Sequence, residues 1–266
     1  MNTRWKRYLL YVSLIIVVGV LIYFLVETVR AKNTGFETKT LWDWMELLII
    51  PLFLAGGAFF LNRSEHSVER ARTEQRAILE CELATDRQQE AILQSYLDRM
   101  GELLLEKKLR TRNTEVRNVA RVRTLTVLRG LDGFRKRIVL KFLYEAGLIA
   151  ENKTIVDLTD ANLTGADLQV VDLQGLNLKD TNLKDANMQF ANLQFANLRA
   201  SILKDANLGG AYLEGANLEG ANLEGAYLEG AYLESADLYA AQVTEEQLAK
   251  ALSLQGATMP DGTIYG

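Results

Sequence analysis

The sequence predicts a mixed fold: an N-terminal transmembrane α-helical hairpin, an α-helical linker, and a C-terminal solenoid finished by a short capping helix. Three observations carry this reading. Two long apolar stretches open the chain, a charged stretch almost free of Gly and Pro follows, and from Leu158 to Leu238 an apolar residue recurs every fifth position. Seventeen positions obey that period, with Met188 the one non-leucine. A fixed short period marks a stacked, quasi-one-dimensional architecture.

Residues 8–26 carry no charge and as a helix would reach ~28 Å, the thickness of a bilayer core. Arg4, Lys6 and Arg7 precede them. A second apolar stretch runs from about Leu41 to Leu61, with Trp42 and Trp44 suited to a membrane interface and Pro51 tolerated in membrane helices. Residues 1–62 therefore read as a two-span anchor. Basic residues on the N-terminal flank and after Leu61 place both termini in the cytoplasm, in a cell inner membrane or a thylakoid. Cys81, the single cysteine, fits a reducing compartment.

Residues 63–112 are rich in Glu, Arg, Gln, Leu and Ala and predict one or two long helices, with an apolar cluster at Ile92, Tyr96, Met100, Leu103 and Leu104. Imperfect heptads between Val68 and Leu83 leave a homo-oligomer open. Residues 113–150 predict a basic helical pair separated at Asp132-Gly133 and stopped at Gly147, placed to cover the open end of the solenoid.

The solenoid, 151–243, follows from geometry. On an α-helix, steps of five would scatter the leucines around every face. On one strand they would alternate between faces. A chain that turns a corner once per repeat points every leucine inward. Alanine two residues earlier, present in twelve of seventeen repeats, leaves room for it. Asn, Asp and Gly suit the corners. The expected core includes Leu163, Leu168, Leu183, Met188, Leu193, Leu198, Leu208, Leu218, Leu223, Leu228 and Leu233. Residues 244–266 form a cap helix and tail, opened by the capping-box pattern Thr244-Glu245-Glu246-Gln247.

Runs such as Ala216-Asn217-Leu218-Glu219-Gly220 resemble the pentapeptide-repeat family, whose pattern reads A-(D/N)-L-x-x. The resemblance covers about a third of the chain. It implies a right-handed quadrilateral β-helix with four repeats per coil, and a layout similar to membrane-anchored proteins of cyanobacteria. Residues twenty apart then share a wall. Glu214, Glu219, Glu224, Glu229 and Glu234 would form an acidic collar on the last coils, with Tyr212 and Tyr232 stacked beside it and Phe190 and Phe195 projecting nearby. These nine residues are the candidate interaction surface.

Little supports catalysis. His66 and Cys81 have no evident companions, and the glycines after 209 belong to the repeat register rather than to a phosphate loop. No cofactor or metal is expected. Residues 99–141 hold thirteen Lys or Arg against four Asp or Glu, whereas 151–266 hold six against seventeen. The basic stretch lacks the interleaved aromatics of a nucleic-acid binder, so nucleic acid is not expected as a partner. The expected function is a membrane-tethered, non-catalytic scaffold or interaction module with an unidentified protein partner. The alternative, by fold analogy with family members that imitate DNA, is an acidic solenoid modulating a DNA-binding protein such as gyrase.

Overall fold

The computed structural model describes Tyr23 and residues 41–105, 109–110, 114–150 and 154–266. The chain divides into two compact units, Met1–Ala77 and Ile78–Gly266. Among the described residues, three helix elements precede the solenoid, α1 (Leu41–Leu105), α2 (Thr114–Gly130) and α3 (Gly133–Glu145), and one short helix, α4 (Glu245–Leu248), interrupts its last coil.

The expected membrane hairpin is corrected by these elements. Among the described residues no helix is long and apolar enough to cross a membrane. The first expected span, 8–26, lies outside the described residues except for Tyr23. The second is the opening of α1, a single helix of 65 residues. An apolar stretch shows how a segment partitions, and it does not show where its helix stops. A bilayer crossing takes only about 20 residues, yet α1 continues without a break from Leu61 through the charged stretch to Leu105. The integral-membrane localisation and the membrane as partner rested on those two spans, and both are withdrawn.

In the second unit, α1 contributes a stripe at helical spacing, Leu93, Tyr96, Met100 and Leu103, all buried. The Tyr96 ring meets Phe142 of α3 edge-on at 6.4 Å, and its hydroxyl shares a 2.9 Å hydrogen bond with Thr124 of α2. Burial pushes the Tyr96 phenol well above its ordinary range. Arg135 of α3 ties the helices together through Asp86 and Glu90 of α1 and its own N-cap, Asp132. Asp132 caps α3 by accepting from the Arg135 amide. At the other end Gly147, with φ +62°, donates to Tyr144 while Leu148 donates to Leu143, a Schellman closure. The cap is thus three helices, since α1 joins the pair that sequence placed there.

Each solenoid repeat is one β-turn. The leucine carbonyl accepts from the amide three residues on, as in Ala166 N–H to Leu163 O at 3.0 Å, and the residue before that amide is left-handed. Every fifth residue from Asp160 to Ala240 has φ between +53° and +71°. In the thirteen repeats where Asn or Asp precedes the core residue, its side chain accepts from the amide two residues on, as in Asn182 Oδ1 from Lys184 at 3.0 Å. Parallel bridges join residues twenty apart, Asn162 to Asn182 through Asn222 to Gln242, so a coil has four sides. All eleven core residues named from sequence are at most 1 % exposed.

Left-handed corners cost a side chain ~1–2 kcal/mol, and a β-branched one is the hardest to place there. Val170 occupies such a corner at φ 57° with 71 % of its surface exposed, so it recovers little by burial. Val170→Gly should therefore raise stability by about 1 kcal/mol after the glycine's greater unfolded-state entropy is deducted. A denaturant midpoint that falls on this substitution would contradict the strain.

Both ends of the stack are closed. At the start, the Gly133 carbonyl accepts from Asp167 at 3.1 Å, Lys136 Nζ donates to Thr164 O at 2.7 Å, and Arg121 donates to Thr159 O at 2.8 Å. Lys136 is buried there, which holds its ammonium below the ordinary lysine range against the pull of Asp132. At the finish, α4 carries the full capping box between Thr244 and Gln247. The Gln247 amide also donates 2.8 Å bonds to the carbonyls of Leu223 and Ala226. The chain then rejoins the stack one residue late, Ser253 pairing with Tyr232 and Thr258 with Asp237. Ile264 folds back antiparallel on Thr258, so the last edge is not left bare.

Candidate functional site

The four walls are numbered by their first leucines, Leu158, Leu163, Leu168 and Leu173. The twenty-residue stride then decides what each candidate glutamate meets. On wall 1, Glu219 lies beside Arg199 and pairs with it at 3.1 Å. On wall 2, Glu224 pairs with Lys204 at 3.0 Å. On wall 3, Glu229 accepts a short hydrogen bond from the Tyr227 hydroxyl, which raises that phenol's pKa. The collar expected from sequence is therefore divided: three of its five members have partners of their own.

Wall 4 differs. Glu214 and Glu234 stack on adjacent coils, and the Oε2 atom of each is shielded from solvent with no hydrogen-bond partner. Ser253 Oγ, next along the same wall, is in the same condition. Of the five such atoms among the described residues, three lie on wall 4; the other two are Arg121 Nε and Ser201 Oγ. Arg121 Nε still lies 3.6 Å from the Asp157 carboxylate. Beside the glutamates, the rings of Tyr212 and Tyr232 stack at 5.0 Å and 12°.

Phe190 and Phe195 frame this wall at its two corners. Both take left-handed φ values, 55° and 58°, where a bulky residue is strained. Their place is made by glycine one coil later. A Cβ on Gly210 would come within 2.4 Å of the Phe190 ring, and one on Gly215 within 2.7 Å of the Phe195 ring. Each ring thus lies across a bare Cα and remains more than half exposed, at 57 % and 61 %. Sequence placed these aromatics outside but did not indicate the corner geometry; the signal was Phe-x-x-x-x recurring twenty residues before a corner glycine.

Two further features shape the surface, of which sequence left the first unseen and offered the second as one reading of the basic stretch. Side-chain ladders run between coils, Asn197 to Asn177 and Asn192 to Asp172, each at 3.0 Å. Arg121, Arg137 and Lys136 dock the basic helices onto acidic or carbonyl groups of the first coil, so part of the basic charge is used inside the molecule. Among the described residues, no group of three or more His, Cys, Asp or Glu gathers to hold a metal.

Residues 171–205 and 206–244 match the family model described as pentapeptide repeats, in eight copies. No curated protein matches the chain. Among solved structures, it is similar to a pentapeptide repeat protein (Rfr23) of the cyanobacterium Cyanothece 51142, at 42 % identity and TM-score 0.30, over 30 % of this chain and 55 % of that one. It therefore spans about half the length of that relative. A pentapeptide repeat protein of Nostoc PCC 7120 shares 39 % identity at TM-score 0.22, over 38 % of this chain and 78 % of its own. One from the Arabidopsis thaliana thylakoid lumen shares 27 % at TM-score 0.34, over 38 % and 70 %.

Proposed function

Because the repeat domain of this chain belongs to the pentapeptide-repeat family, we propose that the protein is a non-catalytic interaction module whose solenoid meets a protein partner through wall 4 and the corners that flank it. The observation that carries this is the concentration of unmet chemistry on one wall. Two stacked carboxylates without partners, two stacked tyrosines and two exposed phenylalanines share it. Elsewhere on the walls, the corresponding glutamates are already satisfied. Exposed aromatics grouped with charge suit a protein contact better than solvation alone. The walls are also held firmly, since each side of the inner coils is bonded to the coil before and after it, so contact requires little ordering.

The reading as an acidic imitation of nucleic acid is less well served. It asks for free negative charge along an extended face, and Arg199 and Lys204 neutralise two of the four walls where the glutamates begin.

Position-specific photo-crosslinking tests the contact. In the full chain, a benzoylphenylalanine at Phe195 or Tyr212 should give a discrete protein adduct, and one at Lys184 or Ile202 on wall 2 should give none. Equal adducts from both walls would remove the assignment of a single face.

A further inference from the structure

This inference deepens the contact reading and rests on it: we propose that the later coils of wall 4 take an arginine-bearing segment of the partner, one guanidinium sitting between Glu214 and Glu234 against the Tyr212–Tyr232 stack. Neighbouring rungs of a β stack are about 4.8 Å apart, and like charges directly opposite one another repel. Yet Glu214 and Glu234 stand on successive rungs with no cation paired to either and with one oxygen of each shielded from water. Glu219 and Glu224, at the equivalent position on walls 1 and 2, each have a basic residue on the preceding coil. On wall 4 that preceding residue is Gln194, which is neutral. A cation for this pair would have to come from outside the solenoid.

The class of cation follows from the surroundings. A guanidinium has N–H groups in a planar fork, so it can donate to two carboxylates at once. Its weak hydration suits a half-shielded site, and its flat face stacks on aromatic rings. Tyr212 and Tyr232 provide such rings, nearly parallel at 12°, and Ser253 Oγ adds an unpartnered acceptor on the next rung. A lysine ammonium would satisfy the charge without the planar match. A divalent metal would find only two carboxylates, since no third ligating group gathers among the described residues. Nucleic acid phosphates would be repelled. Phe195 at the adjoining corner offers apolar contact to the residues flanking the arginine.

Isothermal titration of the full chain with a blocked Ala-Arg-Ala-Arg-Ala peptide, and with its lysine counterpart, tests this. The arginine peptide should bind roughly tenfold more tightly than the lysine one, and more weakly as salt rises. The double variant Glu214→Gln/Glu234→Gln should lose that binding while melting at the same or a higher temperature, because it removes a like-charge contact and keeps the packing. Glu219→Gln/Glu224→Gln should bind as the parent does. Equal affinity for the two peptides, or undiminished binding by the wall 4 variant, would overturn the assignment. If the Phe195 crosslink persists while the arginine peptide does not bind, the guanidinium site is wrong and the contact face stands; loss of both removes both.

Discussion

Leu198→Ala should lower the stability of the second unit by ~2–5 kcal/mol, the range for deleting a fully buried leucine whose surroundings collapse only in part. Leu198 has no exposed surface and sits in a middle coil of wall 1, with Leu178 and Leu218 stacked before and after it. Those neighbours cannot move inward to fill the space. Their backbones are held by coil-to-coil bonds such as Leu198 N–H to Asn217 O at 2.7 Å and Asn197 N–H to Leu176 O at 2.9 Å. A void in the stack also weakens both interfaces of its coil, and solenoid stability is close to a sum of such interfaces. Met188→Leu, which restores the period at nearly constant volume, should change stability by less than about 1.5 kcal/mol. Urea unfolding of the two variants beside the parent measures both. Similar midpoints for Leu198→Ala and the parent would mean that the leucine column does not carry the stack.

Gly133→Ala should also be strongly destabilising, against the direction that helix propensity favours. Gly133 opens α3, where alanine would ordinarily add about 0.5–1 kcal/mol relative to glycine. Here a Cβ would stand 2.1 Å from the Gly165 carbonyl oxygen and 3.2 Å from the Asp167 nitrogen, both backbone atoms of the first coil. Neither can swing aside as a side chain could, so α3 must back away from the solenoid. That movement breaks the bond from Asp167 to the Gly133 carbonyl and strains the one from Lys136 to Thr164. Overpacking of this kind costs ~1–3 kcal/mol, enough to exceed the propensity gain. Hydrogen exchange should show faster exchange of the Asp167 amide, with the middle coils unchanged. A variant as stable as the parent would show that the helical cap and the first coil are not in the described contact.

The solenoid was legible because its signal is a count. A period of five held without a miss over seventeen repeats leaves few backbones that keep every leucine dry, and the small residue two places earlier fixes which side turns inward. The corners were partly legible: Asp and Gly at the left-handed position are the residue types that tolerate it. Val170, Phe190 and Phe195 hold the same conformation against their own preferences, because coil-to-coil bonds such as Phe190 N–H to Gly209 O at 3.0 Å over-determine the backbone around them. Local propensity cannot reveal a conformation that the stack imposes.

The helical region was harder. Its apolar cluster near Tyr96 was visible, but the partners were not, since Arg135 reaches Asp86 and Glu90 more than forty positions away. The membrane hairpin does not hold among the described residues, because hydropathy does not set element boundaries. Nothing in residues 41–61 states that the helix containing them ends at Leu105. For the candidate surface, sequence placed the five glutamates on the outside and assigned them one role. Their roles differ because the residue twenty positions earlier differs: Arg199 for Glu219, Lys204 for Glu224, Gln194 for Glu214. The coil length implied by the resemblance already lined up these columns; what it did not give was that Arg199 and Lys204 close ion pairs with the glutamates that follow them.

Hydroxyl-radical footprinting of the tagged full chain, purified alone and then recovered with its bound partner from a native extract, tests the single contact face most directly. Tyr212, Tyr232, Phe190 and Phe195 should lose reactivity in the recovered sample, while Tyr239 on wall 1 and Tyr265 in the tail keep theirs. Protection that falls on Tyr239 and spares the wall 4 aromatics would contradict the assignment.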